Sequence, residues 1–316
     1  MISKFIDLGS LMKNATLVGG MILVDHASNK IFVNCQPGFT GTEAIWSKKL
    51  LEREALDHGV ILESYLGDND TAFSSVEFQQ ELASRNQRMR LSASYAHHQN
   101  GKAERAIGKV MSLASTMMMH AWLRWPEQQD ATLWPLAVRH SVYLWNVLPD
   151  ASSGLSPNDI FTGTIAPLER LSNLHVWGCP TYVLEPMIAN GKKLPKWSPK
   201  SRQGMFVGYD ESYASSVGLQ LNLETRSITP QFHVVYDDWF TTTYSNGPEP
   251  PPEWAMLFHH SRENVYEGID DDDDIVLPVL SPEWLDDVER QKRLDTTRPI
   301  SDRPSLPETP ITLLAL

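Results

Sequence analysis

Cysteine is almost missing from this chain. Cys35 and Cys179 stand alone, with 143 residues between them, so no CxxC metal site can be built and a disulfide-stapled secreted scaffold is excluded. No apolar run approaches the roughly 20 residues of a membrane-crossing helix, and a basic-then-apolar leader pattern is lacking at the N-terminus. The expectation is an intracellular, reducing setting, nucleus or cytoplasm, with neither secretion nor membrane insertion. A surplus of basic residues is missing too: the net charge is −12. That deficit is local, because residues 241–316 carry 16 acidic and 6 basic side chains, leaving 23 acidic and 21 basic in the first 240. The folded part is close to neutral, compatible with a nucleic-acid partner held by a basic stripe but giving it no positive support. No glycine-rich phosphate loop and no internal repeat is present.

What is present is an ordered alternation of strand and helix signals. Residues 4–8, 21–25 and 31–33 read as three strands joined by the turn 26–30. Thr40-Gly41-Thr42-Glu43 has the form of a capping box and opens a helix that stops at His58-Gly59. Residues 60–66 form a further strand, which delivers Asp68. A second capping box, Ser74-Ser75-Val76-Glu77, opens a shorter helix with Phe78 and Leu82 on one face. A weak strand at 88–91 and a polar loop to Gly101 follow. Ala103, Ile107, Val110, Met111, Ala114, Met117, Met118 and Ala121 then hold a helical period for about five turns, and Trp125-Pro126 breaks it. A last amphipathic helix carries Trp134, Ala137, Val138, Leu144, Trp145 and Leu148.

The order β-β-β-α-β-α-β-α implies an α/β fold, a ribonuclease H-like mixed five-stranded sheet flanked by helices. Residues 1–124 are assigned to this core and 125–174 to a helical extension and linker with a short turn of helix at 157–161. Short strands at 181–183, 205–209, 219–223 and 232–236 make 175–241 a small β-rich, barrel-like domain. The Pro cluster at 248–252, the aspartate run at 270–274 and the later Pro, Ser, Thr and Arg content give 242–316 the composition of an acidic disordered tail.

Two carboxylates stand at the junctions of this pattern: Asp68, in Asp68-Asn69-Asp70-Thr71-Ala72-Phe73, closes an apolar strand, and Glu104, in Gln99-Asn100-Gly101-Lys102-Ala103-Glu104-Arg105, opens the long helix. Thirty-five residues separate them. This wording, with His175-Val176-Trp177-Gly178-Cys179-Pro180, Gly204-Met205-Phe206-Val207-Gly208-Tyr209 and Gln231-Phe232-His233-Val234-Val235-Tyr236-Asp237-Asp238 in the same order, resembles the integrase region of a copia-type retrotransposon polyprotein over residues 1 to about 241.

The resemblance implies a D,D,E triad, with Asp68 and Glu104 as the last two members and the same gap of 35 residues between them. Asp7 is preferred for the first, since that family sets its first carboxylate on the first strand; Asp25, eighteen residues later and followed by His26-Ala27-Ser28, is the alternative. Three carboxylates suit Mg²⁺ or Mn²⁺, hard cations that take oxygen ligands and leave room for phosphate oxygens. The activity implied is 3′ processing and strand transfer on DNA ends by two-metal phosphoryl transfer, in a homo-oligomer acting on element ends and target DNA. His97, Gln99, Asn100, Lys102, Arg105 and Lys109 are the candidate nucleic-acid contacts, Lys102, Arg105 and Lys109 forming one helical stripe. The competing reading of that stripe is a solvated face.

His97-His98 without cysteine partners reads as loop rather than zinc, and Met117-Met118-Met119 as core filling. The chain departs from the family at Asp70, where Gly is usual, and at Ala72, where Glu is common. It also lacks that family's N-terminal zinc module, so the expectation is a truncated piece of a polyprotein. The rival function is a catalytically inactive relic, or a nucleic-acid-binding fragment, that has kept the fold.

Overall fold

The computed structural model describes residues 2–5, 17–68, 70–92, 101–189, 191–243 and 287–297. A first sheet has strand order β3-β2-β1-β4-β5, formed by β1 (Ile2–Phe5), β2 (Gly19–Val24), β3 (Ile31–Gln36), β4 (Ser64–Gly67) and β5 (Arg88–Leu91). β1, β2 and β3 pair antiparallel, whereas β1–β4 and β4–β5 are parallel. The sheet is therefore mixed, as the order of elements predicts.

Period-two alternation on β2 explains why helices cover both faces. Ile22 and Val24 enter a core shared with α3 (Gly101–Arg124) and α4 (Trp134–Val147). Met21 and Leu23 face the opposite side, with Ala44, Leu51 and Ala55 of α1 (Gly41–Asp57) and Phe78 and Leu82 of α2 (Val76–Ser84). α1 begins at the expected capping box: Thr40 N–H donates to Glu43 Oε2 at 3.0 Å while Glu43 N–H donates to Thr40 Oγ1 at 3.3 Å. α2 departs from expectation. Its N-cap is Ser75, accepting from Phe78 N–H, because Ser74 is drawn instead to the carbonyl of Asp70, 3.0 Å away; Glu77 therefore closes no capping box.

The second sheet is wholly antiparallel, in the order β10-β6-β7-β8-β9, from β6 (Pro180–Leu184), β7 (Ser201–Tyr209), β8 (Gly218–Asn222), β9 (Ile228–Gln231) and β10 (Val234–Tyr236). Its two edge strands, β9 and β10, are consecutive in the chain. Three virtual bonds reach at most about 11 Å, whereas a flat five-stranded sheet places its edges about 19 Å apart, so this sheet curls. The single strand expected over 232–236 is in fact the two-residue link plus β10.

The two sheets share one apolar core. Met205, Phe206, Val207 and Tyr209 of β7 belong to the same cluster as Ile22, α3 and α4. α4 is the common wall. Ser141 Oγ donates to the α3 carbonyl of Val110 at 3.1 Å. Asn146 brackets Ile31 at the edge of the first sheet, accepting its N–H at 2.9 Å and donating to its carbonyl at 2.7 Å. His140 packs against Gly208, which has φ +123 and where an added Cβ would lie 3.3 Å from the histidine Cβ. Only glycine accepts that backbone beside so close a neighbour.

The short turn at 157–161 is a capped helix, α5 (Pro157–Thr162), and Pro186–Ala189 forms a four-residue helix, α6. The expectation of disorder throughout 242–316 does not hold at 287–297, which form α7 (Asp287–Thr297). A polar helix of this length is marginal alone; here Arg290 and Leu294 are buried, and Arg290 binds Asp159 of α5 at 3.2 Å and the carbonyls of Gly154 and Ala166 at 3.0 and 3.2 Å. Composition conceals this because, among the described side chains of the segment, two are sealed. Among the described residues no helix is long and apolar enough to cross a membrane.

Candidate active site

The strand registers align four backbones in one row: Leu23 is opposite Ile2, Ile2 opposite Gly67, and Gly67 opposite Leu91. Asp68 follows Gly67 directly, at the C-terminal edge of the parallel part of the sheet, the edge at which open α/β sheets gather ligands. Its side chain is half-buried. Asn69 lies outside the described residues. Asp70 has local work: its Oδ1 accepts the N–H of Ala72 at 2.8 Å and its carbonyl accepts the N–H of Ser74 at 3.0 Å, an Asx turn that leads into α2. The departure from glycine at this position is thus used to shape the connection.

Glu104 stands in the first turn of α3, half-buried, beside the fully buried Ala103. The helix N-terminus favours an anion there. Two attachments hold this end of α3 against the sheet. Ala103 and Ile107 pack in the same cluster as Ile22 and Val24, and Lys102 Nζ donates to the His26 carbonyl at 2.7 Å. His26 lies three residues past Leu23, and because β2 runs antiparallel to β1 and β4 it stands on the side of the row opposite to Asp68, which is level with Ile22.

Asp25 lies two residues past Leu23, on the side of the row away from Asp68, and its carboxylate has an evident structural partner. Oδ2 accepts both the N–H and the hydroxyl of the buried Ser28, at 2.7 and 2.6 Å, closing the β2–β3 turn in which Asn29 takes φ 61. Burial holds the Lys102 ammonium below its usual range, and the Asp25 charge opposes that shift. Asp7 lies outside the described residues, as do His97, Gln99 and Asn100. Within β1 the register sets Ser3 level with Asp68 and carries Phe5 about 7 Å further along the strand direction.

Of the basic stripe, two members are turned onto the protein itself. Lys102 holds His26; Lys109 lies over the Trp145 ring at 5.0 Å, while the Trp145 indole N–H donates to the Asn29 carbonyl at 3.1 Å. Arg105 is the exposed member. Met118 is buried and Met117 and Met119 pack at the rim of the core, in keeping with core filling. Among the described residues no group of three or more His, Cys, Asp or Glu side chains is gathered tightly enough to hold a metal ion.

The downstream wording is structural in its contacts. Asp238 accepts the Val176 N–H at 2.8 Å and lies 3.0 Å from His175 Nδ1, while His175 stacks on Tyr236 at 3.5 Å. Burial, then the charge of Asp238, pushes the Cys179 thiol far above its usual range, which removes it as a nucleophile. Sequence reasoning missed the buried ammonium groups of Lys30 and Lys48, which pair with Glu54 at 3.1 Å and Glu52 at 2.8 Å. The i,i+4 spacing of Lys48 and Glu52 was the only available signal, and such pairs are normally solvated.

No family model matches the chain, and no curated protein matches it. Solved structures similar to it include the HTLV-2 integrase catalytic core domain in complex with magnesium. Its trimeric form is 20% identical, covering 47% of this chain and 82% of that one at a TM-score of 0.33; its dimeric form is 20% identical, covering 51% and 92% at a TM-score of 0.36. A simian T-cell lymphotropic virus intasome in complex with PP2A regulatory subunit B56 gamma is 17% identical, covering 75% of this chain and 76% of that one at a TM-score of 0.39.

Proposed function

We propose that this chain carries an integrase-type catalytic core that performs polynucleotidyl transfer on DNA ends, derived from a copia-type retrotransposon polyprotein. The observation that carries the reading is the row Leu23–Ile2–Gly67–Leu91, with Asp68 at the exit of β4 and Glu104 in the first turn of α3, where Ala103 and Ile107 share a core cluster with Ile22 of β2. A mixed sheet of order 3-2-1-4-5 with these two positions supports a ribonuclease H-like core over 1–124, a helical extension over 125–174 and a curled, barrel-like second module over 175–241.

Asp68 and Glu104 are proposed as metal-bearing residues, with Asp7 as the third and Asp25 as its alternative. Half-buried carboxylates at a sheet edge and a helix N-terminus are hard oxygen donors, and their chemistry fits Mg²⁺ or Mn²⁺. When bound, such ions supply charge stabilisation to the attacking and leaving oxygens of an in-line phosphoryl displacement. The chain's own part is to hold its carboxylates on rigid elements, with the turn at Asp70 and the helix start at Gly101 fixing their backbones. Arg105 is positioned to meet a phosphate from solvent; Lys102 serves first to anchor α3. DNA as partner, assembly into a homo-oligomer and a nuclear or cytoplasmic setting belong to the same proposal.

The test is Mg²⁺- or Mn²⁺-dependent nicking and strand transfer on element-end DNA, with Glu104→Gln alongside. Loss of both activities in that variant with an unchanged fold supports the reading, and activity indifferent to the substitution refutes it. One observation favours the second reading, a catalytically silent relic: the residue level with Asp68 on β1 is Ser3, not a carboxylate. An absence of nicking and joining in the unaltered chain, with the fold intact, would select that reading.

A further inference from the structure

A dense run of basic residues lies outside the site described above, in the connection from α6 into β7. Between Glu185 and Asp210 the chain has no acidic residue, and the twelve residues from 191 to 202 contain Lys192, Lys193, Lys196, Lys200 and Arg202. The four lysines are exposed and Arg202 is half-buried. In a chain of net charge −12 so one-sided a stretch is not an average surface.

At its centre stands Trp197, 89% exposed, the most exposed of the large apolar side chains described. Lys196 Nζ lies 5.4 Å from its ring centroid. An indole left in water gives up the burial that usually places tryptophan in a core. The segment is also held in shape: Lys192 N–H donates to the Met187 carbonyl at 2.8 Å, Ser198 N–H to the Pro195 carbonyl at 3.0 Å and Glu185 N–H to the Lys200 carbonyl at 2.9 Å. Pro195 and Pro199 flank the tryptophan on both sides and restrict the backbone further. Little ordering entropy remains to be lost when something stacks on that ring.

We propose that residues 191–202 form a second nucleic-acid-binding surface, which grips the phosphodiester backbone of a single strand with its lysines and stacks a base on Trp197. Basic side chains around an accessible aromatic face are the combination that single-stranded nucleic acid requires, charge for the backbone and a π-face for the base. The chain's own aspartates at 270–274 would also satisfy the charge, but a carboxylate run has no use for an exposed indole. The proposal stands independently of the catalytic reading, since it invokes none of Asp68, Glu104 or a metal.

The test is fluorescence anisotropy of the full chain with labelled single-stranded and duplex DNA of mixed sequence, in chelator so that no cleavage intervenes, over a range of salt. Binding is expected to weaken with salt. Trp197→Ala should lower single-strand affinity by about 5- to 100-fold and leave the duplex nearly unaffected. Lys192→Gln with Lys196→Gln should reduce the salt slope by about one for each phosphate contact removed. Circular dichroism melts verify that the variants fold, and Lys49→Gln, on α1, serves as a distant charge control. Absence of wild-type binding, or variants that bind as wild type does, would overturn the proposal. So would binding that emerges only after the five aspartates at 270–274 are replaced by asparagine, which would make the acidic run the occupant. Because catalysis is silent in chelator, failure here leaves the nicking assay of Glu104→Gln unaffected.

Discussion

Arg290 Nη2 lies 3.2 Å from Asp159 Oδ2, and the two side chains are 1% and 0% exposed. The pair joins α7, near the end of the chain, to the capping box of α5, where the same carboxylate accepts the N–H groups of Ser156 and Ala166 at 2.9 Å each. Breaking a buried pair costs about 3–5 kcal/mol when the charge left behind stays sealed. Here it need not stay sealed, because α7 can leave and admit water. Arg290→Ala is therefore expected to undock α7 rather than unfold the core. Limited trypsin digestion should cut rapidly at Lys292 and Arg293 in the variant, while the main melting transition moves little. A variant as resistant as wild type would show that α7 is held by something other than this pair.

The carboxylate of Asp25 offers a separation of roles. Its two bonds to Ser28 close the β2–β3 turn, and loss of charge-assisted hydrogen bonds of this kind costs about 1.5–3 kcal/mol. If the turn is its work, Asp25→Ala lowers the melting temperature while metal-dependent nicking, measured well below that temperature, is retained. Asp25→Asn that melts normally but no longer nicks would instead make Asp25 a metal ligand, in place of Asp7.

His140 makes the fold acid-sensitive. Burial pushes its imidazole down to about 3, and its Nδ1 has no hydrogen-bond partner among the described residues. The unfolded chain takes up a proton near pH 6.5 that the folded chain refuses, so this contribution is fully present above about pH 6.5 and is lost as pH falls toward 3. The loss is about 1.4 kcal/mol per pH unit inside that window. Urea titrations at pH 7, 6 and 5 should show the decline, and His140→Leu should flatten it.

Glu54 acts in the opposite direction. Burial first, and the neighbouring Glu211 carboxylate second, push it up to about 7, with Lys30 opposing. A carboxyl whose folded value exceeds its unfolded one contributes stability below about pH 4.5 that is lost as pH rises through 7. Glu211→Gln leaves the Lys30–Glu54 pair in place and removes the like charge. Its melting temperature should exceed that of wild type at pH 8 and equal it at pH 4; equal melting at both would exclude the repulsion.

Much of the first sheet was legible because its signals are local: the Thr40–Glu43 box, the apolar run of β2 and the long stripe of α3 each carry their own period, whereas the apolar run Val60-Ile61-Leu62 expected to begin the strand over 60–66 lies before β4, with Ile61 exposed. What stayed illegible depends on partners far away in sequence. Ser74 looks like an N-cap until the Asp70 carbonyl competes for its hydroxyl. Nothing local to Lys109 foretells that its ammonium lies over the ring of Trp145, thirty-six residues later. α7 lies in composition typical of a tail, since one arginine and one leucine are too few to register as a periodic face. At the site, Asp68 and Glu104 were legible as an end of strand and a start of helix. The register that sets Ser3 level with Asp68 is a property of strand pairing and has no local signature.

α4 was described as the wall between two sheets, bonded to Val110 on one side, bracketing Ile31 on another and pressed on Gly208 at a third. Covalent continuity between residues 148 and 180 is therefore not what keeps the halves together. A chain nicked in the exposed turn near Asp150 should remain one particle, and two separately produced halves should find each other again, since the first alone would leave one side of that helix bare to water and the second would bare Met205, Phe206 and Val207 of β7. In this protein the two sheets are complementary fragments of a single folding unit, and splitting it is a question of affinity rather than of linkage.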